Sequence, residues 1–256
     1  MAKHTSKQTR PLIGINTDYV PAGKCGSAQL RLHAGYADAI YAAGGLPIIL
    51  SSVLKEKELE QQVFPQLDGF LLTGSPLELD PVRLGMNRHP AVQPMPTRRE
   101  DFDRMLCKMI VERKLPCLAV AAGMLEMNVT CGGSIFAHLP SENPKAFPHK
   151  DLNGGVHRHL VLLEPQTRLD AVYGGGELRV NSYHLQAINV LASCFRPAAK
   201  SCDGIVEAYE TVEPRWYCTG VQWHPHSETA SALDMQLFEN FVQAATKREL
   251  TLALAA

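Results

Sequence analysis

Two histidines separated by a proline close an apolar stretch near the end of the chain, at residues 221–226 (VQWHPH). A histidine at the end of a buried strand is well placed for general-base catalysis, because its pKa lies near neutrality. His224 is therefore a candidate base, although a hydrogen-bonded structural histidine would give the same pattern. A second polar cluster at residues 181–186 (NSYHLQ) also follows an apolar run. It is equally typical of a polar turn anchored by a tyrosine.

Two turns made of small residues add to this set. Residues 71–75 (LLTGS) end an apolar run at Gly74, and backbone N–H groups in such a turn can stabilise the oxyanion that forms on a carbonyl under attack. Residues 119–124 (AVAAGM) pass from an apolar run into a helical pattern, which is the layout of a nucleophile elbow. The central residue is Ala121, whose methyl group cannot act as a nucleophile. Taken alone, the two segments are also typical of a tight turn and of close strand–helix packing.

The elements that must position these residues alternate short apolar runs with amphipathic stretches, which predicts a parallel sheet covered by helices. Strands are predicted at residues 12–16, 46–50, 68–73, 116–121, 159–163, 178–181, 204–210 and 216–223. Helices are predicted at residues 33–43, 55–63, 97–113, 124–131 and 233–247. Thr97 and Glu100 have the spacing of a capping box. Residues 75–96, which contain five prolines, and the polar residues 135–156 are predicted as irregular loops.

Length and composition exclude several classes of protein. The 256 residues carry 25 basic and 26 acidic side chains, so no basic field exists to bind nucleic acid. The seven cysteines have no metal-site spacing, and neither a signal peptide nor an apolar run of membrane-spanning length is found. We expect a flexible tail over residues 1–10, a single domain over residues 11–250, and a cytoplasmic protein without nucleic-acid or membrane partners.

Taken in order, these segments resemble the class I glutamine amidotransferase-like superfamily. Within it the chain is most similar to the gamma-glutamyl hydrolase and gamma-glutamyl-GABA hydrolase branch, which is peptidase C26-like. Besides the first strand (LIGIN), the segments that carry the resemblance are residues 33–50 (HAGYADAIYAAGGLPIIL), 67–81 (LDGFLLTGSPLELDP), 115–133 (LPCLAVAAGMLEMNVTCGG), 180–188 (VNSYHLQAI), 203–210 (DGIVEAYE) and 220–225 (GVQWHP). The resemblance implies a three-layer α/β/α sandwich with a central, mostly parallel sheet, which is a flavodoxin-like fold.

The resemblance also implies a mechanism. In the family, a cysteine at the elbow attacks the gamma-glutamyl amide, and a histidine oriented by the glutamate of a His-Pro-Glu motif activates the thiol and protonates the leaving amine. The positions that match are Ala121 (nucleophile), His224 (base), His226 (acid), the oxyanion-hole residues Gly74, Ser75 and Ala122, and the substrate-binding residues Ser182, His184 and Gln186. No cofactor and no metal ligand is implied.

The chain departs from the family pattern at the positions that react. Residues 119–123 read AVAAG where the family has approximately G-I-C-R-G, so the nucleophilic cysteine and the arginine after it are both absent. His226 replaces the glutamate, Ser75 the second glycine of the oxyanion strand, and Leu185 a second histidine. Several such losses together indicate natural divergence. The leading hypothesis is a pseudoenzyme that keeps the fold and a pocket for a gamma-glutamyl or similar small ligand.

Alternatives remain open at this point. His224 could direct water onto an amide, which would leave an active hydrolase of non-standard mechanism. His184, His224 and His226 could instead form a zinc site, or the domain could be an interaction module, and it could form a homodimer. Among groups that could replace the lost ones, Cys25 lies in a loop, and Glu228 could orient His224 if its loop bulges. Cys117 and Cys131 lie about 13 and 15 Å from the elbow by strand and helix rise, which is too far.

Overall fold

The computed structural model describes residues 10–24, 26–151, 155, 157–228 and 230–255, with side chains up to residue 246. The tail expected over residues 1–10 lies outside these residues apart from Arg10, whose guanidinium donates a 3.0 Å hydrogen bond to the carbonyl of Gly44. No helix among the described residues is both long enough and apolar enough to cross a membrane.

Thirteen strands are present in the described chain. They are β1 (Leu12–Ile15), β2 (Asp18–Val20), β3 (Gln29–Arg31), β4 (Leu46–Ile49), β5 (Gly69–Leu72), β6 (Cys117–Val120), β7 (Ser134–Phe136), β8 (His157–Leu163), β9 (Glu177–Ser182), β10 (Ala187–Val190), β11 (Phe195–Ser201), β12 (Val206–Thr211) and β13 (Cys218–Val221). Nine of them form the central sheet in the order β4-β1-β5-β6-β13-β12-β11-β8-β9, while β2-β3 and β7-β10 are two-stranded ribbons.

The sheet is mostly parallel, as the resemblance implies. The neighbours from β4 to β13 all pair in parallel, and the four pairs from β13 to β9 are antiparallel. Only β12 and β8 therefore run against the other seven strands. The carboxyl ends of β5, β6, β13 and β9 share one edge of the sheet, which is where ligands bind in open α/β folds.

Helices cover both faces of this sheet. They are α1 (Ala34–Ala42), α2 (Glu56–Glu58), α3 (Thr97–Arg113), α4 (Ala122–Thr130), α5 (Leu139–Glu142), α6 (Arg168–Tyr173) and α7 (Asp234–Ala255). Side chains that alternate along the strands enter two separate buried clusters, one with the helices α3 and α4 and the other with α1, α6 and α7. Because a strand exposes successive side chains to opposite faces, this division confirms the three-layer α/β/α architecture.

Local differences from the sequence prediction have physical causes. The prediction that Thr97 caps α3 is wrong: Pro96 holds the cap position, and Glu100 is fully buried with its carboxylate 2.6 Å from Arg104. The helix predicted at residues 55–63 consists of α2 and a π-helical turn at Leu59–Val63. A 3₁₀ turn at Phe64–Gln66, which contains a proline, follows it. A further 3₁₀ turn, Pro81–Leu84, lies in the proline-rich loop. The ribbons and β11 were not predicted, because their sequences are short or lack an apolar period.

Candidate functional site

The backbone at Ala121 keeps the strained geometry of an elbow. Its φ of 48° and ψ of −112° lie in a region that L-residues rarely adopt, between the end of β6 and the start of α4. The Ala121 N–H donates a 2.8 Å hydrogen bond to the Val221 carbonyl, which joins the turn to β13. A Cβ on Gly123 would lie 2.8 Å from the Leu72 carbonyl, so the close approach of α4 to β5 requires glycine there.

Gly74 follows β5 and lies next to Tyr36 of α1 and to His224. A Cβ on Gly74 would stand 3.2 Å from Ala121 Cβ and 3.4 Å from His224 Cε1, so both residues lie close to this glycine. The Gly74 N–H donates a 2.8 Å hydrogen bond to the Tyr36 hydroxyl, whose pKa is raised by burial. This predicted oxyanion donor is thus already engaged. The N–H of Ala122 belongs to the first turn of α4, where amides have no acceptor within the helix.

A buried polar network, which the sequence analysis missed, fixes the end of β5. The fully buried Arg99 guanidinium contacts the Asp103 carboxylate at 2.5 Å and that of Asp18 at 2.9 Å, and it donates to the Thr73 carbonyl at 3.2 Å. Asn16 accepts from the Thr73 N–H at 2.8 Å and donates to Asp103. The (i, i+4) spacing of Arg99 and Asp103 in the sequence indicates an ion pair on a helix, but it does not distinguish this buried pair from an ordinary exposed one.

His224 enters the site with its backbone held on both sides. The Asn181 side chain accepts from the His224 N–H at 2.8 Å and donates to its carbonyl at 3.1 Å. Burial, with nearby His184 and His33, lowers the pKa of His224 to about 4, and no carboxylate contributes to that shift. Glu228 is exposed and is not among the groups that act on this ring. His224 is consequently a neutral imidazole at pH 7, and no carboxylate of the described residues acts on it.

His226, which the resemblance places at the family's acid position, is held by ring contacts. Its ring stacks on Tyr36 at a centroid distance of 3.5 Å and an angle of 16°. Toward His224 it is edge-on, at 5.6 Å between centroids. Burial, His224 and His33 lower the pKa of His226 to about 3. A neutral ring in this orientation does not replace a carboxylate that would orient the base.

The three predicted substrate-binding side chains direct most of their polar groups to the protein itself. Ser182 donates to the His149 carbonyl at 2.5 Å. Gln186 both donates to and accepts from the backbone of Leu79, at 2.9 Å each. His184 donates through Nδ1 to the Gln186 carbonyl at 3.0 Å, and its Nε2 lies 3.4 Å from Glu207. A substrate-binding role for these residues stays a prediction.

Histidines do converge in this region, although the set differs from the one the sequence suggested. Among the described residues, the group with metal-ligand spacing is His149, His159, His184 and Glu207. His184 is the only member shared with the proposed set of His184, His224 and His226. His224 and His226 were grouped with His184 because they are neighbours in sequence, and they do not belong to this group. The strands that bring in the other ligands are far apart in sequence.

Two adjoining cavities open at this edge of the sheet. The smaller, about 40 Å³, reaches Ala121 and Ala122, and its wall includes Glu78 and Lys150. This volume holds only a few water molecules. The larger, about 620 Å³, is lined by Tyr36, Gly74 and both histidines of residues 221–226, and lies within the size range of small-molecule sites. Ser75, Pro76, Tyr183 and His224 border both cavities, so a ligand in the larger one can extend a small group toward Ala121.

The cysteines of the described chain do not supply a replacement nucleophile at the elbow. Cys117 is fully buried in the core on the α3/α4 face, and Cys131 packs against the same core. Burial raises the pKa of Cys131 and Cys218 further from the range in which thiolates form at neutral pH. Cys25, the candidate surrogate thiol, lies outside the described residues.

Comparisons with known proteins agree on one family. The family model described as peptidase C26 matches residues 11–226. The gamma-glutamyl-gamma-aminobutyrate hydrolase of Escherichia coli strain K12 is 35% identical over 228 residues, which cover 86% of this chain and 88% of that protein. A putative glutamine amidotransferase of Mycobacterium tuberculosis is 30% identical, with 93% of this chain and 76% of that one covered. The structure of a putative GMP synthase subunit from Thermoplasma acidophilum matches with a TM-score of 0.63 at 18% identity, over 95% of this chain and 98% of that chain.

Proposed function

Because the chain belongs to the peptidase C26 family, we propose that it binds a gamma-glutamyl or similar small amino-acid ligand and no longer hydrolyses amides through a cysteine. The observation that carries the proposal is Ala121 at the apex of an elbow whose strained backbone is intact. The scaffold still presents the apex to a cavity, but the methyl group there cannot attack a carbonyl.

The chemistry of the smaller cavity supports an amino-acid-like ligand. Glu78 and Lys150 both line this cavity, and burial raises the pKa of the Glu78 carboxylate while the Lys150 ammonium is near enough to oppose that effect. An α-amino acid end carries both complementary charges, so Glu78 can bind the amino group and Lys150 the carboxylate. The Lys150 ammonium also lies 4.1 Å from the Tyr183 ring centroid, which holds it at the mouth.

Calorimetric titration with gamma-glutamyl-GABA and with glutamine tests binding, and release of GABA or ammonia tests turnover. We expect saturable binding with turnover below about 10⁻³ s⁻¹, against ~1–10³ s⁻¹ for ordinary enzymes. Lys150→Met and Glu78→Gln should each weaken binding about tenfold or more, because each leaves a charged end of the ligand without its counter-charge. The control is Lys145→Met, an exposed lysine in the same segment, which should bind like the parent protein.

Two results would overturn this proposal. One is cysteine-dependent turnover at an ordinary enzymatic rate, which would mean that another thiol has taken over the attack. The other is the absence of binding at millimolar ligand, which would leave the family scaffold without a ligand-binding role.

A second candidate, water-mediated hydrolysis, is favoured by one specific observation. His224 is a neutral imidazole that borders both cavities, as a general base for water requires. In that case His224→Ala abolishes any turnover found, whereas Cys25→Ser leaves it unchanged. Equal residual rates in both variants would remove this candidate.

A further inference from the structure

Four buried side chains meet behind the wall of the smaller cavity, and we refer to them as the histidine cluster: His149, His159, His184 and Glu207. Each offers one ligand atom, and these atoms all lie within 4.8 Å of one another. The side chains are between 1% and 7% exposed. His149 precedes β8, His159 lies on β8, His184 follows β9 and Glu207 lies on β12, so the fold, and not a local motif, assembles the cluster.

The outer nitrogen of each ring determines the state of the inner one. These outer contacts are His149 Nε2 to Asp203 Oδ2 at 3.0 Å, His159 Nδ1 to the Leu160 carbonyl at 3.2 Å, and His184 Nδ1 to the Gln186 carbonyl at 3.0 Å. A carboxylate and a carbonyl can only accept, so the outer nitrogen of each ring must carry the proton. In a neutral ring the inner nitrogen then presents a lone pair, which is the arrangement found in metal-bound histidines.

The inner atoms face the Glu207 carboxylate and make no hydrogen bond among the described residues. His149 Nδ1, His184 Nε2 and His159 Nε2 lie 3.0, 3.4 and 3.7 Å from Glu207 Oε1. None of these contacts has hydrogen-bond geometry, and all three nitrogens and both Glu207 oxygens are buried without a hydrogen bond. Lone pairs that face one another in a buried site are costly unless a positive charge lies between them.

We propose that the histidine cluster binds one divalent transition-metal ion, with zinc as the ion that its ligand chemistry favours. Three imidazoles and one carboxylate form a typical zinc ligand set, and tetrahedral bonds of 2.0–2.1 Å place neighbouring ligand atoms about 3.3 Å apart. The distances from the three inner nitrogens to Glu207 Oε1, which are 3.0, 3.4 and 3.7 Å, lie around that value. The charges also balance, because Glu207 and Asp203 together carry the two negative charges that a divalent cation neutralises.

This ion has a structural role. All four ligands come from the protein and are buried, which is the pattern of closed structural sites and leaves no open position for a substrate. The ion would tie the segment before β8 to three strands of the sheet. Lys150 directly follows His149, and Tyr183 directly precedes His184. Because both residues line the smaller cavity, the same ion would hold this part of the cavity wall in place.

The test is made on the full-length protein, purified without a histidine tag. Elemental analysis should find about one zinc per chain, as a closed four-ligand site requires. Removal of the ion by a chelator should lower the melting temperature, and added Zn²⁺, but not Mg²⁺, should restore it, because Mg²⁺ prefers oxygen ligands. This measurement needs no variant, so it stays informative even if ligand variants fold poorly.

Variants then locate the ion. His159→Gln should reduce the retained zinc at least about tenfold, and Asp203→Asn, which changes the outer contact of His149 without removing a ligand, should weaken zinc binding about 10–100-fold. The matched control is His226→Gln, which removes a buried histidine that belongs to the set suggested by sequence and not to the histidine cluster. Its zinc content should equal that of the parent.

The proposal is overturned if chelated protein takes up less than about 0.1 zinc per chain from excess Zn²⁺ and its melting temperature does not respond. A proton on His149 would then be the positive charge that holds the histidine cluster together. Equal loss of zinc from His226→Gln and His159→Gln would also overturn it, since the ion would then lie elsewhere.

Discussion

Ala121 at the elbow and His184 of the histidine cluster line the same small cavity, yet the elbow and the cluster differ in which part of a site each one has. The elbow has an improbable backbone conformation but carries only a methyl group at its apex. The histidine cluster has a full set of donor atoms that converge on one point, assembled from segments that are far apart in the chain. The contrast teaches that packing can hold an unusual backbone shape independently of the side chain at its apex, because backbone geometry and side-chain chemistry are held by different forces.

The forces can be named for each region. At the elbow, a close glycine contact and hydrogen bonds to β13 hold the turn, and neither depends on the side chain of residue 121. In the histidine cluster, the outer hydrogen bonds orient each ring, and the whole arrangement depends on what neutralises the lone pairs. Substitution at the elbow should therefore have small effects on stability, and substitution in the cluster large ones.

The largest effect is expected for Glu207→Leu. If the histidine cluster holds an ion, this change removes a ligand from a buried charged site and should lower the free energy of unfolding by about 3–5 kcal/mol, or ~10 °C in melting temperature. Thermal denaturation with and without chelator measures it, and the variant should no longer respond to chelation. If instead the melting temperature rises, no ion neutralises the Glu207 carboxylate in the folded protein. The histidine cluster would then not depend on a bound ion, and the proposed difference from the elbow would disappear.

An effect that is smaller for each pH unit is expected from the partly buried neutral histidines beside the elbow. His226 has a pKa of about 3 against an ordinary value of 6.5, so between these values the unfolded chain binds a proton that the folded chain does not. The free energy of unfolding should therefore fall as the pH drops from 6.5 toward 3, by at most about 1.4 kcal/mol per pH unit for each such histidine.

Urea denaturation of the parent and of His226→Gln at several pH values measures this contribution. The variant should show a shallower loss of stability below pH 6.5, since it has one proton fewer to take up on unfolding. Parallel curves for the two proteins would mean that His226 is solvated in the folded state, contrary to its stacking on Tyr36.

The smallest effect is expected at the apex itself. Ala121→Gly relieves a backbone strain of about 1–3 kcal/mol and loses a methyl contact of roughly 0.8 kcal/mol, so stability should stay equal or rise by about 1 kcal/mol. Ala119→Gly, at a regular buried position of β6, should instead lower stability by about 1 kcal/mol. A destabilised Ala121→Gly would show that the methyl group, and not the surrounding contacts, holds the elbow.

Much of the fold was predictable, because its signals are local. Residues 97–113 were predicted as a helix with the bounds that α3 has, and the apolar runs at β1, β5 and β6 marked the parallel core. The order of segments was enough to indicate the family and the three-layer architecture. Errors fell where tertiary contacts override local preference, as at Glu100, which the capping pattern paired with Thr97 and which is in fact fully buried beside Arg104.

Much less of the site was predictable, for a related reason. Sequence alone located Ala121, Gly74 and His224, since each ends a strand that shares one edge of the sheet. It could not show that Tyr36 takes the Gly74 N–H or that His226 stacks on the same ring, because these contacts connect α1 with segments far away in the chain. Nor could it select His149, His159 and Glu207 from the other histidines and acids.

The sequence by itself determined the family and its three-layer fold, because the order of its segments can be read directly, and it predicted that an alanine stands at the position of the family's nucleophile. The tertiary structure decided what surrounds that alanine: an intact strained turn, an engaged oxyanion donor, neutral histidines and a separate convergence of three imidazoles with one carboxylate. These features depend on distances between segments that are remote in sequence, and burial sets the cost of each unpaired group.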